Sequence, residues 1–157
     1  MCSRARVLTC LRAYVLHVCT SARRTSHVYP SWMPETPQLG SIGWTDLTVS
    51  DAEALRDFYT RVTGWTAQPL SMGDYSDYVM VSSAGDGVAG ICHARGANAQ
   101  IPPQWLIYII VDDVERAAAE CTALGGQIID GPRPMGGGTF CVIRDPAGAI
   151  CGLYRPA

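Results

Sequence analysis

Two stretches of this chain follow the same plan at a constant offset of 62 residues, which carries Val49 to Val111, Asp51 to Asp113, Val81 to Ile143 and Gly90 to Gly152. In the first, "SIGWTDLTV" alternates apolar and polar residues with the period of a half-buried strand. Ser50-Asp51 then caps the run "DAEALRDFYTRVTG", in which Ala54, Leu55, Phe58, Tyr59 and Val62 share one helical face and Gly64 ends the helix. In the second, "WLIYIIV" reads as a strand, Asp112-Asp113 as the cap and "VERAAAECTALG" as the helix, with Gly126 where Gly64 falls in the first. After each helix come three extended pieces separated by turn chemistry: "WTAQPL", "DYVMVSS" and "GVAGICH", then "GQIIDGP", "TFCVIRD" and "GAICGLY". The unit is βαβββ, used twice. One copy alone exposes a face of its sheet, so two copies packed together are the smallest stable core.

Length fits this plan, since 157 residues with 48% hydrophobic and 17% charged residues suffice for one well-buried domain. The expected layout is a leader over residues 1–38 and a single domain over 39–157, made of modules 39–93 and 104–157 joined by the Gly-, Ala- and Pro-rich linker 94–103. Residues 1–34 hold five arginines and no acid; the leader is expected to be disordered, or to be upstream translated sequence ahead of a natural start at Met33. Its apolar piece, "VLTCLRAYVLHVC", is interrupted by Arg12 and too short to span a bilayer. All 12 basic residues are arginine and the net charge is -2, so no uniform basic field draws nucleic acid. Seven cysteines without Cys-x-x-Cys pairs read as free thiols in a reducing compartment, and a cytoplasmic homodimer is expected.

"LTVSDAEALRDFYTRVTGW" resembles the strand-helix opening of the vicinal oxygen chelate superfamily, which includes glyoxalase I, bleomycin-resistance proteins, fosfomycin-resistance enzymes and extradiol dioxygenases. "VIRDPAGAICGLY" resembles its closing hairpin. The resemblance covers about residues 40 to 156 and implies an α+β fold in which two βαβββ modules form an eight-stranded cup with helices outside. It further implies that metal-dependent members draw ligands from the inward residue early in each module's first strand and midway along each last strand. Those positions hold Trp44, Leu106, Gly90 and Gly152 here, and none supplies a metal-binding side chain. A register slip of two brings in Asp46 and a slip of three brings in His93, but no single slip recovers three ligands. No metal and no cofactor are expected.

The cup-facing parity of the first strands takes in Trp44, Asp46, Thr48, Leu106, Tyr108 and Ile110, and the two glycines leave its floor without side-chain bulk. Met80, Cys92 and Tyr154 are added as lining residues. Asp46 is the candidate acid-base group, because a carboxylate between apolar neighbours on a central strand is costly unless paired or used, with Arg144 or Arg155 as structural partners. His93 has three readings: a strand-end histidine hydrogen-bonded near the linker and facing away from the cup, a second catalytic acid-base group, or a metal ligand. "PRPMGGGTF" leads into a strand without a phosphate-binding signature and reads as a flap over the cup, while Cys141 and Cys151 read as packing residues. The function expected is binding of a small, partly aromatic organic molecule without metal, by a sequestering or resistance-type binder or an accessory factor. The alternative is a lyase, isomerase or hydrolase using Asp46 and His93, with a metal-dependent lyase or dioxygenase behind both.

Overall fold

Each module follows its first strand with an aspartate-capped helix, buried through Ala52 in the first and through Val114 and Ala118 in the second, while Phe58 and Val62 of the expected apolar face stay exposed. The computed structural model describes residues 38–135 and 137–157, so the expected leader lies, but for its last residue, outside the described residues. The elements are β1 (Ile42–Val49), α1 (Ala52–Thr63), β2 (Thr66–Ser71), β3 (Ser76–Val81), β4 (Gly87–His93), a 3-10 turn (Gly96–Asn98), β5 (Trp105–Ile110), α2 (Val114–Ala123), β6 (Gln127–Met135), β7 (Gly138–Arg144) and β8 (Ile150–Arg155). The two helices start 62 residues apart. Asp51 accepts from the Ala54 amide and Asp113 from the Arg116 amide, satisfying equivalent open donors of the first turn.

The eight strands form one open mixed sheet in the order β2-β3-β4-β1-β5-β8-β7-β6. Within each module the first strand runs parallel to the last, β1 to β4 and β5 to β8, and the modules join through the antiparallel β1–β5 pair. Two α-helices and an eight-stranded mixed sheet among the described residues make this the α+β class expected, built from two βαβββ units. Gly43 marks a register shift in β1, and a Cβ there would stand 2.5 Å from Cδ1 of Ile110, so glycine lets β1 close on β5.

Side-chain alternation divides the core in two. On one face Trp44, Leu106, Tyr108, Ile110, Phe140, Val142 and Tyr154 form a single apolar cluster, joined by Met135 from β6 and Ile101 from the linker. On the other, Ala52 of α1 packs on Tyr78, Met80, Ala89 and Ile91, and Val114 and Ala118 of α2 pack on Cys141 and Leu153. Burying side chains of this size contributes about 1.5–3 kcal/mol each, so both faces hold the sheet in shape.

Two local expectations are corrected. The left-handed residue after α2 is Gly125 (φ 89°), not Gly126; Gly126 instead fits tightly against Cys121 and the carbonyl of Arg144, where a Cβ would lie 2.4 Å from Sγ. The "PRPMGGGTF" stretch is no flap up to Met135: β6 continues through it, pairing Arg133 with Phe140, Pro134 with Thr139 and Met135 with Gly138. Met135 is buried in the cup-side cluster, which accounts for the longer strand.

Candidate functional site: a buried carboxyl in the cup

Lateral pairing puts the residues of interest in two rows across the centre of the sheet. One runs Gly90, Asp46, Leu106 over β4, β1 and β5; the next runs Trp44, Tyr108, Gly152, Val142 over β1, β5, β8 and β7. Thr48 pairs with Cys92 one step along, and Tyr154 pairs with Ile110 and Phe140. Trp44, Asp46, Thr48, Leu106, Tyr108, Gly90, Cys92, Gly152 and Tyr154 therefore share the cup face.

Met80 does not. It pairs with Ala89 and packs against Ala52 and Ile91 beneath α1, because Val79 is the β3 residue opposite Gly90 and alternation turns its neighbour to the helix side.

Asp46 is 2% exposed and accepts a hydrogen bond from the Trp44 indole Nε1–H at 2.6 Å, and the Tyr108 hydroxyl also donates to it. Arg144 bonds Gln127 instead, and neither it nor Arg155 reaches Asp46. Burial pushes the Asp46 carboxyl up to about 7, with the two donors opposing the shift and the charge of Asp77 adding to it. The group thus changes charge near neutral pH, as an acid-base residue or a switchable hydrogen-bonding anchor does. A Cβ on Gly152 would fall 2.6 Å from Cδ1 of Tyr108, so the tyrosine ring covers the sheet there and the floor at Gly152 is not open. The aromatic surface beside Asp46 comes from that ring, Trp44 and Phe140, whose centroid is 5.7 Å from that of Tyr108.

His93 lies elsewhere. At the end of β4 it is 2% exposed on the α1 side, with Nε2 2.8 Å from Glu53 Oε2 and Nδ1 3.1 Å from Asp77 Oδ1. Asp77 also accepts from the His93 backbone N–H at 2.8 Å. This is a strand-end histidine tied between two carboxylates, and it is not brought together with Asp46. His93 holds the half-exposed Glu53 carboxyl below the usual range, whereas burial raises that of Asp77. The sequence reading passed over Asp77 and Glu53. An aspartate two positions before Val79 in the apolar strand "SDYVMV" was the signal for Asp77, and nothing in the sequence marked Glu53 beyond its place in the first turn of α1.

Trp44, Leu106, Gly90 and Gly152 bring no N, O or S ligand together, and among the described residues no three His, Cys, Asp or Glu side chains are grouped so as to hold a metal ion. The donor set does not fit the metal centre of metal-dependent members. Cys141 is buried with its thiol pushed up to about 11, so it stays protonated at neutral pH and packs. An open cleft of about 460 Å³ between α1 and β2–β3, lined by Arg56, Thr60, Pro69 and Tyr78 among others, shares no residue with the cup. No helix among the described residues is long and apolar enough to cross a membrane.

Residues 41–150 match the Glyoxalase/Bleomycin resistance protein/Dioxygenase superfamily, and the chain belongs to that family. It is 32% identical over 132 residues to the protein named glyoxylase CFP32 of Mycobacterium tuberculosis, an overlap of 83% of this chain and 49% of the relative. It is also 32% identical over 129 residues to the anthracycline biosynthesis protein DnrV of Streptomyces peucetius, covering 74% of this chain and 47% of the relative. The chain spans about half the length of these curated relatives. Among solved structures, methylmalonyl-CoA epimerase from Mycobacterium tuberculosis superposes with a TM-score of 0.50 at 14% identity, over 80% of this chain and 94% of the other, a likeness of fold alone.

Proposed function

We propose that the cup binds a small, partly aromatic organic molecule without metal, and that Asp46 is its polar anchor. The observation that carries this reading is a fully buried carboxyl, pushed up to about 7, set between the edge of one aromatic side chain and the hydroxyl of another. An apolar, aromatic lining with one orienting ionisable group is how small-molecule sites are built. Leu106, Gly90 and the Trp44 and Tyr108 rings shape the site, with Thr48, Cys92 and Tyr154 on the same face. A sequestering or accessory role fits relatives that include a protein of anthracycline biosynthesis. We place the protein in the cytoplasm as a homodimer, with no nucleic-acid partner.

A second reading is favoured by the same carboxyl. A group that is half ionised near pH 7 inside a dry site is suited to moving a proton on the bound molecule, as in a lyase or isomerase. Asp46→Asn separates the two in binding and turnover assays on aromatic metabolites: a binder keeps measurable affinity, and an acid-base enzyme loses turnover by roughly a hundredfold or more. Gly90→Leu places a branched side chain beside Asp46 and abolishes binding in either case; undiminished binding by that variant, or a stoichiometric metal in the purified protein, contradicts the proposal.

A further inference from the structure

Asp77 is buried to 1% exposure, and its Oδ2 has no hydrogen-bond partner. An orphaned carboxylate oxygen in the interior is costly unless something completes it. Oδ1 is fully engaged by the backbone and ring of His93, so the open valence belongs to Oδ2 alone. Asp77 precedes Val79 by two residues, Val79 pairs with Gly90 and Gly90 pairs with Asp46, which puts Asp77 and Asp46 on the same face of the sheet. The β3–β4 backbone pairing ends at Tyr78 and Ile91, and beyond it Oδ1 of Asp77 takes the His93 backbone N–H and the His93 ring from the α1 side. Between the two aspartates lies only β4, and its residue opposite Asp46 is the glycine at 90.

The charged groups around this pair are unevenly spread. Asp77 feels His93, which is also bonded to Glu53 of α1, and Arg95, whose guanidinium lies 4.8 Å over the Tyr75 ring. Asp46 is bonded by the neutral donors Trp44 and Tyr108. Among the described residues, none of the hydrogen bonds or ion pairs places a cation on Asp46 or on Oδ2 of Asp77. Each carboxyl makes ionisation of the other harder, and a positive charge between them reverses that effect.

We propose that the molecule this cup takes carries a protonated amine next to an aromatic ring, with the ammonium held across β4 by Asp46 and Oδ2 of Asp77 and the ring against Trp44 and Tyr108. This rests on the cup being the binding site and adds the chemical class of its occupant. An ammonium has three N–H donors and no acceptor, the complement of the Asp46 carboxyl and of the Oδ2 that His93 leaves open on Asp77. A neutral amide offers one donor and no charge, and a carboxylate in the same place adds a third negative group.

The test uses the full chain with three matched probes: 2-(2-naphthyl)ethylamine, its N-acetyl derivative and 3-(2-naphthyl)propionate. Affinity is measured by calorimetry and location by the Trp44 Nε1–H resonance. The amine is expected to bind at least about tenfold tighter than the N-acetyl compound and the propionate to bind weakest. Asp77→Asn is expected to remove most of that preference while the N-acetyl compound binds as before. In the parent, amine binding tightens from pH 5 to pH 8 as Asp46 ionises, a readout that stands even if the variant fails to fold. Equal affinity for amine and N-acetyl compound, or a preference that survives Asp77→Asn in a folded protein, overturns the amine proposal and leaves the cup as the site. If none of the three moves the Trp44 resonance, the cup reading falls with it.

Discussion

The carboxyl of Asp46 is almost wholly enclosed, and its titration belongs to its surroundings. Its folded value of about 7 lies above the ordinary value of 3.8, so between those limits the folded protein holds a proton that the unfolded chain has released. Stability contributed by the protonated group is therefore complete below about pH 4, falls as pH rises and is fully lost above about pH 7. Urea unfolding at pH 5 and pH 8 is expected to show the parent losing on the order of a few kcal/mol more than Asp46→Asn over that span. Comparing the two chains isolates Asp46 from Glu53 and Asp57, whose carboxyls shift downward and act with the opposite sign. Gly152 gives the second expectation at this scale. Since a Cβ there meets the Tyr108 ring at 2.6 Å, Gly152→Ala is expected to cost about 1–3 kcal/mol by overpacking, measured by thermal unfolding, where an open floor would accept it without loss.

At the level of single elements, much was legible because each signal was local. Alternation in "SIGWTDLTV" and helical spacing after Asp51 depend on neighbours within a few residues, and both match the elements observed. The equivalent caps make a matched prediction: Asp51→Ala and Asp113→Ala are each expected to lower stability by about 1 kcal/mol in chemical denaturation, with similar losses in the two modules. What was not legible depends on contacts between distant segments. Turn preference alone does not choose between Gly125 and Gly126; the choice follows from Gly126 lying against the carbonyl of Arg144 on β7. The three consecutive glycines suggested a flap, yet the burial of Met135 among cup-side residues from four other strands extends β6 to the turn. Met80 was misplaced because the parity of a strand that follows a loop is set by its partner, here Ala89, and not by its own sequence.

Across the whole molecule, the repeat brings equivalent positions to the centre of one sheet, and the two halves fill them differently. Asp46 and Tyr108 are related by the offset of 62, as are Trp44 and Leu106, so the carboxyl of one module meets the hydroxyl of the other where β1 joins β5. That join is where the first module's indole and the second module's phenol both donate to a single acceptor, which neither module provides alone. Asp46 was legible as costly in the sequence; its partners were not, since Tyr108 reaches it only through the β1–β5 register, and Asp77 only through β4. The central claim is that this shared carboxyl changes charge near neutral pH within a binding site. A carbon-13 titration of the Asp46 side-chain carboxyl, assigned through Asp46→Asn, tests it most directly. The expected midpoint is near 7, displaced on adding an aromatic ligand; a midpoint near 4, unchanged by every ligand, contradicts the account.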